Sequence, residues 1–210
     1  MTTSPAERTF DARHLQLARA LFAALAAIMI TFSPDHSAAL GLSVFSGFAL
    51  ATGLVFALSA WLVFPRGERR IAVLLAVVAV VGGLIASVPG LRSTGAFFAI
   101  VIGWALASGL IELLGALRDR RAGRSAGVRD GVLIGILTLV LGAGLFLPNQ
   151  QYALDYSITG AGSFTLTGIT IAVGLFGGYA AVVAVFLAIA GFSPRRPEPV
   201  PAVPSEEAAS

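Results

Sequence analysis

The sequence predicts an all-α integral membrane protein: six transmembrane helices used as three helical-hairpin repeats, with the N- and C-termini both inside. Three observations predict it. First, the 210 residues are 57% hydrophobic and only 12% charged, with a mean hydropathy of +0.88. A soluble domain of this size needs a charged face on every surface helix, and this chain has too few charges to supply one. Second, six apolar runs are each long enough to cross a hydrocarbon core of roughly 30 Å. Third, the chain repeats itself. GFALATGLVFAL at residues 47–58 returns 56 residues later as GWALASGLIELL at 103–114, with seven of twelve positions identical.

The six runs cover residues 15–32, 38–64, 71–88, 95–117, 131–147 and 166–191. In hydrocarbon a backbone must satisfy its own polar groups, so each run is read as a helix. The first resembles a secretory leader, with a basic start, an apolar stretch and then HSAA. It is long enough to span and the repeat needs it, so it is kept as the first helix. Each odd run ends at a proline (Pro34, Pro89, Pro148), where the chain stops and turns. Residues 1–13 read as a flexible N-terminus and 14–192 as the membrane domain, with hairpins at about 14–64, 70–117 and 130–192. The Pro-, Ala- and Glu-rich stretch 193–210 reads as a disordered cytoplasmic tail.

Arginine counting gives the orientation. All 14 basic residues are arginine. Thirteen fall on one side: Arg8, Arg13 and Arg19; Arg66, Arg69 and Arg70; Arg118, Arg120, Arg121, Arg124 and Arg129; Arg195 and Arg196. Arg92 stands alone on the other. This bias puts both termini in the cytoplasm and three hairpins outside. The net charge of +3 is therefore a topology signal, not a sign of nucleic acid. Arg118, Arg120, Arg121 and Arg124 are candidates for contact with anionic lipid headgroups, although such loops more often only fix orientation.

The third hairpin has two registers. Gly162 and Gly168 keep the spacing from Pro148, whereas Gly178-Tyr179-Ala180 matches Gly103-Trp104-Ala105 and keeps the distance to the cytoplasmic end. The second is preferred, because the first leaves half a helix over. It implies a long outer loop at 149–164, carrying Asp155 and two tyrosines.

Lipid tails are as apolar as leucine, so helices in a bilayer associate through close contact between small residues. The expected helix-packing positions are Gly47, Gly53, Gly103 and Gly109, with the GxxxG pairs Gly131/Gly135 and Gly174/Gly178. A face between two copies, making a homo-oligomer, is the other reading of the same residues.

Motifs for catalysis are missing. The chain has no GxxxxGK[ST] and no HExxH, and it has no cysteine. His14 and His36 fall on opposite sides, and no cluster has metal-ligand spacing. No cofactor, metal or enzyme activity is expected. Glu112 is the main polar outlier, five residues before Leu117 in an apolar run. An acid there is either a proton-responsive or substrate-facing carboxyl, or half of a structural ion pair. Arg19 and Arg70 start other helices at the same depth and are its candidate partners. Trp61 and Phe64 read as belt aromatics, with Tyr152 and Tyr156 at the other interface, and Trp104 as interior packing. Asp35-His36 reads as an exposed outer turn, with external acid sensing as the sharper alternative.

Six helices, three Pro-ended hairpins and Gly109-Leu110-Ile111-Glu112 before an arginine-rich loop resemble the HdeD-like membrane proteins, over roughly residues 14–192. The shared pattern is P-x13-G-W-x4-G-L-I-E. The resemblance implies a six-helix protein of the bacterial inner membrane, linked to acid resistance and without an established molecular activity. The alanine-rich, arginine-only composition looks like that of a high-GC actinobacterial protein. The third hairpin departs from the pattern by its insertion and its lack of an acid. Three functions follow: a non-enzymatic protein of stress or envelope homeostasis; a small transporter or channel for protons, ions or a small solute that uses Glu112, with Arg19 as a further candidate; and a lipid-modifying enzyme, for which Asp130, Glu112 and the arginines are a thin set. The core looks too poor in polar residues to line an aqueous path.

Overall fold

A computed structural model describes residues 12–65, 67–124, 127–160 and 162–193. The chain forms α1 (Ala12–Phe32), α2 (Ala38–Leu62), α3 (Arg70–Ser87), a 3-10 turn (Pro89–Leu91), α4 (Thr94–Arg121), α5 (Val128–Gly144), β1 (Ala153–Ile158), β2 (Gly162–Thr167) and α6 (Gly168–Phe192). All six expected helices are present, with ends shifted by a few residues. The proposed N-terminal arm (1–11) and most of the proposed tail (194–210) lie outside the described residues. Among the described residues five helices, α1 to α4 and α6, are long and apolar enough to cross a membrane. α5 has 17 residues and is about 25 Å long at 1.5 Å per residue.

The starts of the even helices share one chemistry. Ser37, Ser93 and Thr167 each accept a hydrogen bond from the backbone N–H three residues on, at Leu40, Ala96 and Thr170. Each hydroxyl satisfies one of the four N–H groups that a helix start leaves free. α4 runs past the expected end at 117, because Arg118, Arg120 and Arg121 lie in its last turn, where cations oppose the negative end of the helix dipole. Glu112 is therefore nine residues, about 13 Å, from the end of its helix. That is deeper within the helix than the apolar run suggested.

Neighbouring helices close into a ring, with α1 packed on both α2 and α6. α2 also touches α4 and α6, so the even helices meet inside. Glycines make the closest approaches. A Cβ on Gly53 would lie 3.2 Å from the Val80 backbone nitrogen, and one on Gly83 would lie 3.1 Å from that of Leu50. Between α4 and α5, Gly109 and Gly135 face each other, with 2.9 Å from a Gly109 Cβ to the Gly135 carbonyl oxygen. Gly131 abuts Ala116 in the same seam, and Gly177 meets Ile30 between α6 and α1. These contacts fall at α2–α3, α4–α5 and α6–α1, which are the junctions between the expected hairpins rather than their interiors.

Four glycines depart from expectation. Gly47, Gly103, Gly174 and Gly178 are exposed and have nothing within 4 Å of a Cβ position. They do not pack between helices of this chain. Residues six apart on an α-helix point about 120° from each other. The members of the pairs Gly47/Gly53 and Gly103/Gly109 therefore do not face the same neighbour: Gly53 and Gly109 meet one, and Gly47 and Gly103 point outward. Gly174 and Gly178 share a face, and it is the outward one.

The expected outer loop at 149–164 is replaced by a β-hairpin. β1 and β2 pair antiparallel, with Asp155 opposite Thr165 and Tyr156 opposite Phe164. The alternation Leu154, Asp155, Tyr156, Ser157, Ile158 is a strand pattern that was present in the sequence. It puts Leu154, Tyr156, Ile158 and Phe164 on one face, and Asp155, Ser157, Ser163 and Thr165 on the other. Tyr156 stacks on Phe164 at 5.8 Å, and Thr165 Oγ1 donates to Asp155 Oδ1 at 2.6 Å. Gly160 and Gly162, at φ of +85° and +102°, supply the left-handed backbone of the turn.

Candidate functional site

Glu112 is paired with Arg19. Arg19 Nη1 donates to Glu112 Oε1 at 3.0 Å, and Nη2 donates to Oε2 at 3.4 Å. The two-pronged geometry matches a guanidinium to a carboxylate. The side chains are 12% and 11% exposed. Helices α1 and α4 are not neighbours in the ring, so this pair crosses the bundle interior. The Arg19 guanidinium also lies 4.4 Å from the Phe56 ring centroid, where the ring's negative face attracts a cation. Arg70, the other candidate partner, is exposed at the first position of α3 and takes no part. It begins its helix, whereas Arg19 lies two turns inside α1.

Beside the pair lies a cavity of about 20 Å³. Each even helix lines it with a stripe spaced by four residues, one face of an α-helix. α2 contributes Phe48, Thr52 and Phe56; α4 contributes Trp104, Ser108 and Glu112; α6 contributes Tyr179, Val183 and Leu187. The stripes form three levels: an aromatic one, one with two hydroxyls, and one with the acid. Among the odd helices, α1 adds Arg19, α3 adds Leu75 and Ala79, and α5 adds Thr138. Towards the hairpin end the cavity is closed by rings. Phe45 and Phe48 both meet Trp104 and Phe176 edge-on, with centroids 5.3–5.7 Å apart, a favoured aromatic geometry.

Among the described residues five polar ones are buried: Ser46, Thr52, Ser59, Ser108 and Thr138. The core is therefore more polar than the sequence suggested. Three of them are satisfied. Ser46 donates to the Gly83 carbonyl at 2.9 Å, Ser59 to that of Phe56 at 2.8 Å and Thr138 to that of Ile134 at 2.8 Å. Thr138 Oγ1 also lies 2.8 Å from the Tyr179 hydroxyl. A threonine has one proton to give, so Tyr179 is the donor in that contact. Among the described residues, Thr52 Oγ1, Ser108 Oγ and the Trp104 indole nitrogen have no hydrogen-bond partner, and all three side chains line the cavity.

The other sequence candidates lie elsewhere. Asp130 accepts from Gln16 Nε2 at 2.7 Å at the arginine-rich end. Arg118, Arg120, Arg121 and Arg124 are exposed, and Arg120, Arg124 and Arg129 line an open depression of about 580 Å³. Arg124 donates to Asp119 at 2.6 Å and lies 3.9 Å from Glu68. The hydrogen bond to Asp119 holds its guanidinium further above the ordinary arginine range. Asp35 accepts from the Ser37 backbone and hydroxyl, both at 2.8 Å, which tightens the turn into α2. Trp61 is exposed, with the Arg69 guanidinium 5.8 Å from its ring.

Thr52, Ser108, Thr138 and Tyr179 were not singled out from the sequence as site residues. The signal for most of them was the repeat. Setting Tyr179 against Trp104 and Phe48 picks out the aromatic level, and one turn further along lie Thr52 and Ser108. No protein-family model, curated protein or solved structure matches this chain.

Proposed function

We propose that this chain is a non-enzymatic, six-span protein of the bacterial cytoplasmic membrane that serves acid-stress or envelope homeostasis through its internal Arg19–Glu112 pair. The observation that carries this reading is the pair itself: two largely but not fully buried charges join non-neighbouring helices next to a small polar chamber. Opposite charges within an apolar bundle are costly unless paired. A proton on Glu112 would remove the charge that holds Arg19 and loosen a contact that ties α1 to α4 through the interior. The polar groups around that contact are Tyr179, Ser108, Thr52 and Thr138, all uncharged, and among the described residues Arg19 is the only other charge lining the chamber.

The threefold hairpin repeat is part of this proposal. Its support is the matching Ser37, Ser93 and Thr167 caps and the three four-spaced stripes. The arginine bias supports termini in the cytoplasm and places the β-hairpin outside. Exposed arginines at the cytoplasmic end suit anionic lipid headgroups as partners.

The test is survival of a deletion strain after an acid shock, carrying either the wild-type gene or Glu112→Gln at equal membrane levels. Rescue by wild type alone supports the proposal. Equal survival with an empty vector sinks it. A second reading, a small transporter or channel, is favoured by the polar lining but opposed by the aromatic closure and the small volume. Proteoliposome flux equal to that of empty vesicles would remove it.

A further inference from the structure

We propose that the chamber is a built site for one ordered water molecule, held by Trp104, Thr52 and Ser108 on the inner side of the Arg19–Glu112 pair. The inference rests on the chamber being the functional site, and not on the acid-stress role.

Three buried polar atoms without partners line this one cavity. Thr52, Trp104 and Ser108 are 4%, 6% and 6% exposed, and lipid offers nothing to hydrogen-bond with. A buried donor or acceptor left unmade carries its full desolvation cost. The buried hydroxyls elsewhere, on Ser46, Ser59 and Thr138, each donate to a backbone carbonyl. Thr52 and Ser108 do not, although they lie at matching levels of α2 and α4.

Size and chemistry select the occupant. A water needs about 10–15 Å³ of such space and two to four polar partners. The cavity offers about 20 Å³, enough for one water and too little for an organic solute. The indole N–H can only donate, so the occupant must accept. Thr52 and Ser108 serve as donor or acceptor. Tyr179 spends its proton on Thr138, which leaves its oxygen able to accept. A molecule that both accepts from Trp104 and donates to a neighbouring oxygen fits this set, and water does so. In that position it hydrates whichever of Arg19 and Glu112 is released when the pair separates.

The chain has only two tryptophans, so indole ¹⁵N labelling of the full-length protein in nanodiscs gives two indole signals. Trp61, exposed on the bundle surface and read as a belt aromatic, is the reference for fast-exchanging water at the interface. The expected result is cross-relaxation between the Trp104 indole proton and a long-lived water, lost in Thr52→Val/Ser108→Ala. The same variant is expected to melt several degrees lower, because the water loses two partners and the indole is orphaned. If the chamber is dry, Trp104 shows no water contact, and removing two unpaired hydroxyls raises the melting temperature. Either of those results overturns the proposal. Should the double variant fail to fold, the water contact in the wild type and in Ser108→Ala decides. A negative acid-survival result leaves this outcome unchanged.

Discussion

Replacing Glu112 by leucine puts on α4 the residue that α6 carries at the same level of the chamber, Leu187. It also leaves Arg19 as a largely buried cation without its anion, 4.4 Å from the Phe56 ring. At 3.0 Å and an effective dielectric of about 20, the gross attraction lost is about 5.5 kcal/mol. Desolvation of both groups offsets much of that in the intact pair. Removing one partner, however, leaves the other's desolvation uncompensated, and such truncations cost about 3–5 kcal/mol. Glu112→Leu and Arg19→Leu should each fall in that range. The double variant has no buried charge and should recover most of the loss, giving a coupling of at least about 3 kcal/mol. Reversible unfolding in mixed micelles, read by far-ultraviolet circular dichroism, closes the cycle. Single variants that cost less than about 1 kcal/mol, or effects that add to within about 0.5 kcal/mol, would refute the idea that the pair is a buried, mutually dependent unit.

Other outcomes follow from the same structure. Gly109→Ala forces a Cβ to within 2.9 Å of the Gly135 carbonyl oxygen and should cost about 1–3 kcal/mol. Gly103→Ala meets open space and should be neutral or stabilising by up to about 1 kcal/mol, so equal unfolding curves for the two would contradict the packing assignment. Tyr179→Phe removes the bond to Thr138, for a loss of about 0.6–1.7 kcal/mol in the same assay. The exposed Asp119–Arg124 pair matters little: Asp119→Asn should leave the unfolding curve almost unmoved, and any shift should fade further in salt. Because the chain has no cysteine, Ser157→Cys in the β-hairpin should react with an impermeant maleimide on intact cells. Ala122→Cys at the arginine-rich end should react only after permeabilisation; the reverse pattern would invert the orientation.

The helices were legible because hydrophobic length and arginine position are properties of the chain alone. Ser37, Ser93 and Thr167 stand where helix starts require them, and the prolines mark where the odd helices stop. Glu112 and Arg19 could be named, since a charge in an apolar run is conspicuous at any depth. Their pairing could not be chosen over Arg70, because it depends on which helices face one another across the ring. The glycines were half legible for the same reason: spacing shows which residues are small, but the neighbour's position decides which of them is in contact. Thr52 and Ser108 are ordinary membrane-helix residues in sequence. Only the convergence of α2 and α4 makes their hydroxyls unusual. The β-hairpin is written in the alternation of Leu154 to Ile158, but a segment this short between two apolar runs also fits an outer loop, and its pairing with Gly162–Thr167 is a contact the chain order alone does not show.

Closing the ring between α1 and α6 has a consequence for how the protein is made. Arg19 and Glu112 are 93 residues apart, and translation at 5–20 residues per second separates them by about 5–20 s. For that interval the guanidinium has no acid to meet and must reach back to the headgroup region. Even after Glu112 arrives, the seam beside α1 stays open until the last helix is inserted. A chain stopped short of α6 would present an unsealed groove to the lipid, a state that a membrane protease can tell from the finished product. Assembly of this bundle is therefore completed by its final segment, and the charge pair is locked in only when synthesis is nearly over.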